Sequence, residues 1–406
     1  MHAPDDATSQ VGSVPDDRQV MGTYARLPIT LVKGRGARVW DAEGREYLDF
    51  LAGIAVCGVG HCHPTVVDAI SRQAGELMHV SNHFHNPLQP ELARRLCALT
   101  GMDRAFFGNS GAEANECAIK IARKWGKARR GPDCHEIVTF TGSFHGRTLA
   151  TVTATAQEKF QTPFTPLPPG FVYVDLGDVE ALDAAITERT CAVMIEPIQG
   201  ESGVRIVPPD FLKLIRALCD EVGALLIFDE VQTGMGRTGS FLASQRAGVA
   251  GDIVTLAKSV ASGVPMGVCL ARGDAATTLV PGDHGSTFGG QPLACASALA
   301  TLDVIENEAL MDSASEVGAS FLTGLQGLKD AFPTLIREAR GVGLMLAVEL
   351  AVPEARTVQR GLLKRGVIVN AIGDTILRFL PPLVVTADEC GAVVDCLRSE
   401  LTDLRS

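Results

Sequence analysis

The stretch 224–258 reads ALLIFDEVQTGMGRTGSFLASQRAGVAGDIVTLAK, and it contains two short apolar runs that end at charged residues. The first run ends at Asp229, and the second leads into Lys258. Brief apolar runs bounded by turn residues are typical of buried strands in a parallel sheet. Ligands bind at the carboxyl ends of such strands, so the pattern predicts that Asp229 and Lys258 face a common site.

An aspartate and a lysine in this arrangement favour one cofactor chemistry. A lysine amine can form a Schiff base with an aldehyde, and a carboxylate can keep a heterocyclic nitrogen protonated. Pyridoxal 5'-phosphate requires both groups, because its ring withdraws electrons effectively only while the ring nitrogen is cationic. The pair Asp229 and Lys258 therefore predicts a pyridoxal phosphate site.

Short apolar runs alternate with helical stretches from about residue 105 to residue 271. This alternation predicts an α/β fold, with a mostly parallel central sheet flanked by helices and a smaller α+β domain built from both chain ends. We expect a disordered tail at 1–20, the small domain at 21–65 and 309–406, and the large domain at 66–308. The central strands are expected at Ala105–Phe107, Ile137–Phe140, Phe171–Val174, Ala192–Ile195, Ala224–Phe228 and Ile253–Ala257.

The composition limits the classes of partner. The 406 residues carry a formal net charge of −11 and no dense basic run, which argues against a nucleic-acid surface. The uncharged stretch 285–302 is too polar for a membrane span, and residues 1–20 lack the apolar segment of a secretory signal. The cysteines show no repeated spacing, so we expect free thiols and a cytoplasmic protein.

Two further segments follow predicted strand ends and carry candidate ligand-binding residues. Ser110 is a natural N-cap, and Gly111 lets a ligand approach a helix N-terminus, where phosphate binds favourably. Ordinary helix capping explains the same two residues. In the other segment, Phe144 can stack on a flat ring and Arg147 can bind a carboxylate. The alternative there is a core phenylalanine beside a solvated arginine.

Two other motifs point to different chemistry. The segment 234–239 matches G-x-G-x-x-G, but Asp229 and Glu230 precede the glycines and would repel a pyrophosphate, so a dinucleotide enzyme is disfavoured. The histidines in segments 61–63 and 83–85 lack the paired spacing of a structural zinc site. We therefore expect capping or packing roles for them, and no metal.

Together the motifs resemble those of fold-type-I pyridoxal phosphate enzymes of the ω-aminotransferase subgroup, over about residues 24–385. The chain departs from the pattern at 260–263, which is poorer in glycine, and at Gln291, where asparagine is commoner. Neither departure touches the expected chemistry. The most specific motifs are GHCHP (60–64), NSGAEANE (109–116), SFHGRT (143–148), EPIQGE (196–201), FDEVQTGMGRTG (228–239), GDHGSTFGG (282–290) and LRFLPPL (377–383).

The resemblance implies a role for each residue at the cofactor. Lys258 is implied to be the Schiff-base lysine, and Asp229 the partner of the ring nitrogen. Thr287 is implied to be a phosphate ligand donated by the second subunit of a homodimer. The remaining implied contacts are Ser110, Gly111 and Ala112 to the phosphate, Phe144 and Val231 to the two faces of the ring, and Gln232 to the ring hydroxyl.

The resemblance also implies the residues that bind substrate. Arg147 is expected to hold the α-carboxylate of the acylated amino acid, and Ser286 of the second subunit lies near it. Glu201 is expected to neutralise Arg378 while the donor is bound and to swing aside for the 2-oxo acid. Such an exchange is physically sound, since an unpaired buried guanidinium is costly and needs an anion.

The implied reaction is a ping-pong transamination of N2-acetyl-L-ornithine with 2-oxoglutarate. It gives N-acetyl-L-glutamate 5-semialdehyde and L-glutamate, as in arginine biosynthesis, with the freed Lys258 as general acid and base. The sequence leaves open succinylornithine, succinyldiaminopimelate, ornithine and 4-aminobutyrate as donors. A mutase or decarboxylase shares Lys258 and Asp229 without needing the Glu201–Arg378 exchange. A non-catalytic pyridoxal phosphate protein is a further alternative.

Overall fold

The structure is a computed structural model that describes residue 15 and residues 17–405. Most of the tail expected to be disordered, residues 1–14 and 16, lies outside the described residues. The strands are β1 Leu31–Arg35, β2 Arg38–Asp41, β3 Glu46–Asp49, β4 Arg104–Gly108, β5 Glu136–Phe140, β6 Phe171–Val174, β7 Thr190–Ile195, β8 Ile198–Gln199, β9 Arg205–Ile206, β10 Leu225–Asp229, β11 Ile253–Leu256, β12 Gly267–Ala271, β13 Ile336–Val342, β14 Met345–Leu350, β15 Val367–Ile368, β16 Asn370–Ile372 and β17 Ile376–Phe379.

Helices connect most of these strands. None of the described helices is both long and apolar enough to cross a membrane. Single turns of 3-10 helix lie at Thr162–Phe164, Lys258–Ala261 and Gly273–Thr277. The α-helices are α1 Ala52–Ala55, α2 Pro64–Glu76, α3 Leu88–Thr100, α4 Gly111–Arg130, α5 Leu149–Ala154, α6 Glu158–Gln161, α7 Val179–Ala185, α8 Pro209–Val222, α9 Ala243–Arg246, α10 Pro292–Asn307, α11 Leu310–Ala331, α12 Ala355–Lys364 and α13 Ala387–Arg405.

The central sheet has seven strands in the order β4-β12-β11-β10-β7-β5-β6. The strands from β11 to β6 pair in parallel, whereas β12 runs antiparallel to both of its neighbours. The α/β fold with a mostly parallel sheet, expected from the sequence, is confirmed. Each predicted central strand overlaps an observed one, and β12 is an additional strand.

The sheet gathers chemical groups at the carboxyl ends of its parallel strands. β10 ends at Asp229, which lies opposite Thr255 of β11. β11 ends at Leu256, and Lys258 follows two residues later. β4 runs in the same direction as β11, so α4 begins at this same edge. The apolar side of α4 is buried, through Ala114, Cys117, Ala118, Ile121 and Ala122.

Two smaller sheets lie outside this core. One has the order β1-β2-β3-β15, in which β15 pairs in parallel with β3 and Val367 lies opposite Leu48. The other has the order β13-β14-β17-β16 and carries Arg378 on β17. The pairing of β15 with β3 joins the two ends of the chain. It supports the division that we propose, a small domain from 21–65 and 309–406 beside a large domain at 66–308.

Candidate active site

A cavity of about 460 Å³ lies at the carboxyl edge of the central sheet, against the first turn of α4. It is lined by most of the residues that the sequence predicted for the site. Ser286, Thr287 and Arg378 are not in its wall. The predicted residues that line it are Ser110, Gly111, Ala112, Phe144, Arg147, Glu201, Asp229, Val231, Gln232 and Lys258.

Asp229 is buried, and three donors hold its carboxylate. Asn115 Nδ2 and His145 Nδ1 each lie 2.8 Å from Oδ2, and the N–H of Val231 donates to Oδ1 at 3.0 Å. Burial raises the pKa of this carboxyl, but the hydrogen bonds from His145, Val231 and Asn115 outweigh burial and lower the pKa below its usual value. Asp229 is therefore a fixed negative charge in the cavity wall at neutral pH.

Lys258 lines the cavity just beyond β11. Its φ is +50°, in the left-handed region that is costly for a residue with a side chain. The next residue is anchored, because Ser259 Oγ donates to the carbonyl of Ala55 at 2.6 Å. Burial lowers the pKa of the Lys258 ammonium, although Glu201 and Asp229 oppose that effect. Such an amine loses its proton more readily and suits a nucleophile or base.

The N-terminus of α4 forms one end of the cavity. Ser110 Oγ accepts a hydrogen bond from the N–H of Glu113 at 3.2 Å and so caps the helix as predicted. The leading N–H groups of an α-helix have no acceptor within the helix and attract anions. A Cβ added to Gly111 would lie 2.8 Å from Val231 Cγ1, so only glycine permits this close approach. Gly111 and Ala112 thus line a site that fits a phosphate.

Phe144 and Arg147 lie on the segment after β5. Glu196 Oε2 accepts a hydrogen bond from the N–H of Phe144 at 2.9 Å and fixes that part of the backbone. The guanidinium of Arg147 lies 4.0 Å from the ring centroid of Phe160 and 5.4 Å from that of Phe144. Arg147 is exposed, and within the described chain no carboxylate forms an ion pair with it. It is therefore available for the carboxylate of a ligand.

Arg378 lies behind the cavity wall and is 1% exposed. Its Nη1 donates to Glu201 Oε1 at 2.8 Å, to Gln232 Oε1 at 3.1 Å and to the carbonyl of Gly200 at 2.9 Å. Its Nη2 donates to Asn370 Oδ1 at 2.8 Å. Burial raises the pKa of Glu201, but the guanidinium of Arg378 outweighs burial and lowers it. Glu201 is therefore an ionised counter-ion between Arg378 and the cavity.

The segment that carries Ser286 and Thr287 lies outside the cavity of its own chain. Asn109 Nδ2 donates to Ser286 Oγ at 3.3 Å, and Asn82 Nδ2 donates to the carbonyl of Ser286 at 3.0 Å. Thr287 and the neighbouring Phe288 are exposed. Their predicted contribution across a subunit interface stays a prediction.

Three buried polar residues at the cavity were not predicted to belong to the site. His145 and Asn115 hold Asp229, and Asn115 is itself fixed by Thr255 Oγ1 at 2.7 Å. Burial and the charge of Asp229 raise the pKa of Glu196 well above its usual value. All three cavity residues stand in motifs that the sequence analysis quoted. Spacing alone does not show which carboxylate an amide or imidazole reaches.

In the glycine-rich segment and in the histidine segment 61–63, polar side chains form hydrogen bonds with other protein groups. Arg237, in the glycine-rich segment, is buried and donates to the carbonyls of Leu344 and Pro381. His61 Nε2 lies 2.7 Å from a carboxylate oxygen of Asp49. His63 Nε2 lies 3.0 Å from a carboxylate oxygen of Glu308, just after α10. No group of three or more metal-ligating side chains is placed to hold an ion in the part of the chain that the structure describes.

Comparison with known proteins shows the class of protein that this fold and site define. The family model for aminotransferase class III matches residues 21–401, and the chain belongs to that family. The acetylornithine aminotransferase of Methanocaldococcus jannaschii is 49% identical, over 94% of this chain and 96% of its own length. That of Caldanaerobacter subterraneus is 45% identical, over 96% of this chain and 99% of its own.

Solved structures give the same result. The ornithine aminotransferase from Toxoplasma gondii has a TM-score of 0.92 and 38% identity, with 96% of this chain and 94% of that chain covered. The acetylornithine aminotransferase from Elizabethkingia anophelis has a TM-score of 0.85 and 33% identity, with 95% and 96% covered.

Class-III aminotransferases depend on pyridoxal phosphate, and so does this enzyme. The residues of the cavity fit that cofactor. The capped start of α4 with Gly111 suits its phosphate, ionised Asp229 suits its ring nitrogen, and Lys258 with its lowered pKa suits its aldehyde.

Proposed function

We propose that this aminotransferase transfers the side-chain amine of N2-acetyl-L-ornithine to 2-oxoglutarate, giving N-acetyl-L-glutamate 5-semialdehyde and L-glutamate. The observation that carries the proposal is the Arg378–Glu201 ion pair at 2.8 Å, in which Glu201 lines the same cavity as Lys258 and Arg378 lies behind the wall. The names and 45–49% identity of the relatives support acetylornithine as the donor. Ornithine is the second candidate, because solved ornithine aminotransferases share the fold.

When bound, pyridoxal phosphate supplies an electron sink that stabilises negative charge on the substrate carbon that bears the amine. Lys258 Nζ takes the proton from that carbon and later returns one to the product, as general base and then general acid. Its burial-lowered pKa suits both roles near neutral pH. Asp229 stays ionised and holds a proton on the ring nitrogen, which keeps the sink effective.

The two arginines divide the binding of substrates between them. Arg147 has no carboxylate partner in the described chain and takes the α-carboxylate of acetylornithine, which leaves the distal amine near Lys258. At this stage Arg378 binds no substrate carboxylate, because Glu201 neutralises its charge. In the second half-reaction a carboxylate of 2-oxoglutarate replaces Glu201 at Arg378, so a buried guanidinium always has one anion.

The test of the donor is a half-reaction titration. The loaded enzyme is mixed with each candidate amine without a 2-oxo acid, and the absorbance of the cofactor is followed. We expect acetylornithine to be at least about tenfold more efficient than ornithine or 4-aminobutyrate, because of these three it alone combines an acylated α-amine with an α-carboxylate for Arg147. A preference for ornithine would overturn the assignment of acetylornithine as the donor. If the cofactor returned to its aldehyde form without 2-oxoglutarate, the proposed transamination would be wrong.

Arg378→Ala is expected to separate the half-reactions. Loss of the guanidinium raises the KM for 2-oxoglutarate on the order of a hundredfold, since the carboxylate of the bound 2-oxo acid loses its cationic partner. The half-reaction with acetylornithine changes much less, because Glu201 masks Arg378 at that stage. Arg337→Ala is the control, since exposed Arg337 lies on β13 of the same sheet and pairs with Glu349. Equal slowing of both half-reactions by Arg378→Ala would contradict the exchange.

We also propose a homodimer in which Ser286 and Thr287 of one subunit complete the cavity of the other. The exposure of Thr287 and of the apolar Phe288 and Phe84, at 61% and 70%, supports a covered surface here. Thr287→Ala is expected to weaken cofactor retention about tenfold, through loss of one hydrogen bond to the phosphate. Exposed Thr323→Ala on α11 is the control. A fully active monomer in sedimentation would contradict the dimer.

We infer a cytoplasmic location from the thiols. Each of the eleven cysteines lies in the described range, and each is free. Proteins that keep many unpaired thiols are typical of reducing compartments.

A further inference from the structure

A second cavity of about 300 Å³ is bounded by α4, β4, β12 and residues 279–284. Two thiols and an imidazole line it, those of Cys117 on α4, Cys269 on β12 and His284. Both cysteines are buried and His284 is half-buried. None of the three lines the active-site cavity, and the reaction proposed above uses none of them.

The contacts of His284 decide which ring nitrogen carries a proton. Lys120 Nζ lies 3.0 Å from His284 Nδ1, and an ammonium can only donate, so Nδ1 is the acceptor. A neutral ring then keeps its proton on Nε2, the nitrogen left to donate to the sulfur of Cys117, which His284 hydrogen-bonds. The ring is held against Phe106, with 4.7 Å between centroids. His284 is therefore a fixed N–H donor to Cys117.

Cys117 and Cys269 differ sharply although they are in contact. The hydrogen bond from Cys269, and then that from His284, lowers the pKa of the Cys117 thiol to about 6 against the effect of burial. The contact with Cys117, and then burial, raises the pKa of the Cys269 thiol. Cys117 is therefore the more acidic thiol of the pair. A thiolate beside a neutral thiol is the arrangement of an attacking and a resolving cysteine.

We propose that Cys117 and Cys269 form a peroxide-sensitive dithiol, in which a small hydroperoxide entering the 300 Å³ cavity oxidises Cys117 and Cys269 closes a disulfide. The Cys117 thiolate attacks one peroxide oxygen, so an S–O bond forms, the O–O bond breaks and the hydroxide takes a proton. Cys269 then attacks the sulfenic sulfur, so the S–S bond forms and water leaves with the thiol proton. In sum two thiols and hydrogen peroxide give one disulfide and two water molecules.

The disulfide would act on the segment beyond His284. Oxidised Cys117 no longer accepts the hydrogen bond that holds His284, and this residue lies two positions before Ser286. Lys124 pairs with Asp283 in the same segment, so α4 and the segment are joined at this point. If Ser286 and Thr287 serve the partner's cavity, as the proposed function has it, oxidation lowers activity reversibly.

The chain contains a matched pair of thiols that should not react. Cys134 and Cys191 flank Gly126 of α4, where an added Cβ would lie 3.1 Å from Cys134 Sγ and 2.5 Å from Cys191 Cβ. Burial raises the pKa of both thiols, that of Cys191 to about 12. Cys134 Sγ donates to the carbonyl of Thr190 at 3.6 Å, and among residues 17–405 no imidazole donates to either sulfur.

The experiment is thiol mapping of the loaded enzyme after timed exposure to hydrogen peroxide. Remaining thiols are alkylated, and peptides are identified by mass spectrometry. We expect Cys117 and Cys269 to disappear together as one disulfide, at least about tenfold faster than Cys134 and Cys191, and to return with dithiothreitol. Cys134→Ser is expected to behave as the wild type.

Two variants separate the roles of the two thiols. Cys269→Ser should stop at a sulfenic acid on Cys117, which dimedone traps, whereas Cys117→Ser should leave Cys269 reduced. His284→Asn lies outside the buried core and should slow oxidation about tenfold if its N–H stabilises the thiolate. The proposal is overturned if Cys117 stays reduced while exposed Cys62 is oxidised, or if His284→Asn changes nothing. Thiol mapping needs no donor amine, so the result stands apart from the choice of acetylornithine.

Discussion

Lys258→Ala is expected to abolish transamination, with a loss of at least about ten-thousandfold in both half-reactions. The reason is that Lys258 is the lysine in the cavity wall, and its burial-lowered pKa makes it the amine that can move a proton there. The measurement is the rate of cofactor conversion with saturating acetylornithine, and then with 2-oxoglutarate. The proposed phosphate contacts at Gly111 and Ala112 are unchanged, so the variant should still bind the cofactor without a covalent link.

Small primary amines test whether the loss is chemical. Methylamine should restore part of the rate to Lys258→Ala, since it can occupy the space left by the side chain and accept the same proton. A variant that had merely lost its structure would not be rescued. Lys329→Ala, an exposed lysine in the last turn of α11, is the control and should match the wild type. Turnover of Lys258→Ala near the wild-type level would refute the assignment.

Asp229→Asn is expected to reduce turnover on the order of a thousandfold while the cofactor remains attached to Lys258. The variant keeps the size of the side chain but removes the negative charge that His145, Asn115 and Val231 hold in place. Without that charge the ring nitrogen is not kept protonated, and negative charge on the substrate carbon is poorly stabilised. The spectrum should therefore be retained while the half-reaction becomes slow.

Glu230→Gln provides the matched control for Asp229→Asn. Glu230 is the next residue and is equally buried, but its carboxylate accepts from the N–H groups of Ala243 and Ser244 at 2.9 and 2.8 Å and does not line the cavity. We expect it to lose stability without a comparable loss in the chemical step. If the two variants were equally slow, the charge of Asp229 would have no special role.

The strands that form the site were predictable because their sequence signals are local. Asp229 and Lys258 each follow an apolar run, and parallel pairing of β10 with β11 then brings them to one edge. β12 was not predicted, because its apolar run at 267–271 follows directly on the lysine turn. Nothing in a short apolar run indicates that the strand runs antiparallel.

The hydrogen-bond partners of the predicted residues could not be predicted from the sequence. His145 reaches Asp229 across 84 residues and Asn115 across 114, so their contacts depend on how α4 and the segment after β5 are laid on the sheet. Glu196 stands in the quoted EPIQGE motif, but its raised pKa follows from burial and from the nearby charge of Asp229. Distances and burial, which only the fold supplies, decide such roles.

The contact between Arg378 and Glu201, in contrast, was expected before the structure was known. Their roles were implied by resemblance, and 177 residues separate them in the chain. The observed 2.8 Å contact supports the proposed exchange of anions, because Gln232 also bridges the two groups from the loop after β10. The exchange itself remains a proposal that Arg378→Ala tests.

Reduction of the loaded enzyme with borohydride tests the covalent role of Lys258 most directly. Borohydride fixes a carbon–nitrogen double bond as a stable amine, so the attached lysine can be found by peptide mass spectrometry. We predict that the cofactor mass appears on Lys258 and that Lys258→Ala carries none. A tag on another lysine, or a wild-type enzyme that binds the cofactor without any tag, would contradict the assignment of the site.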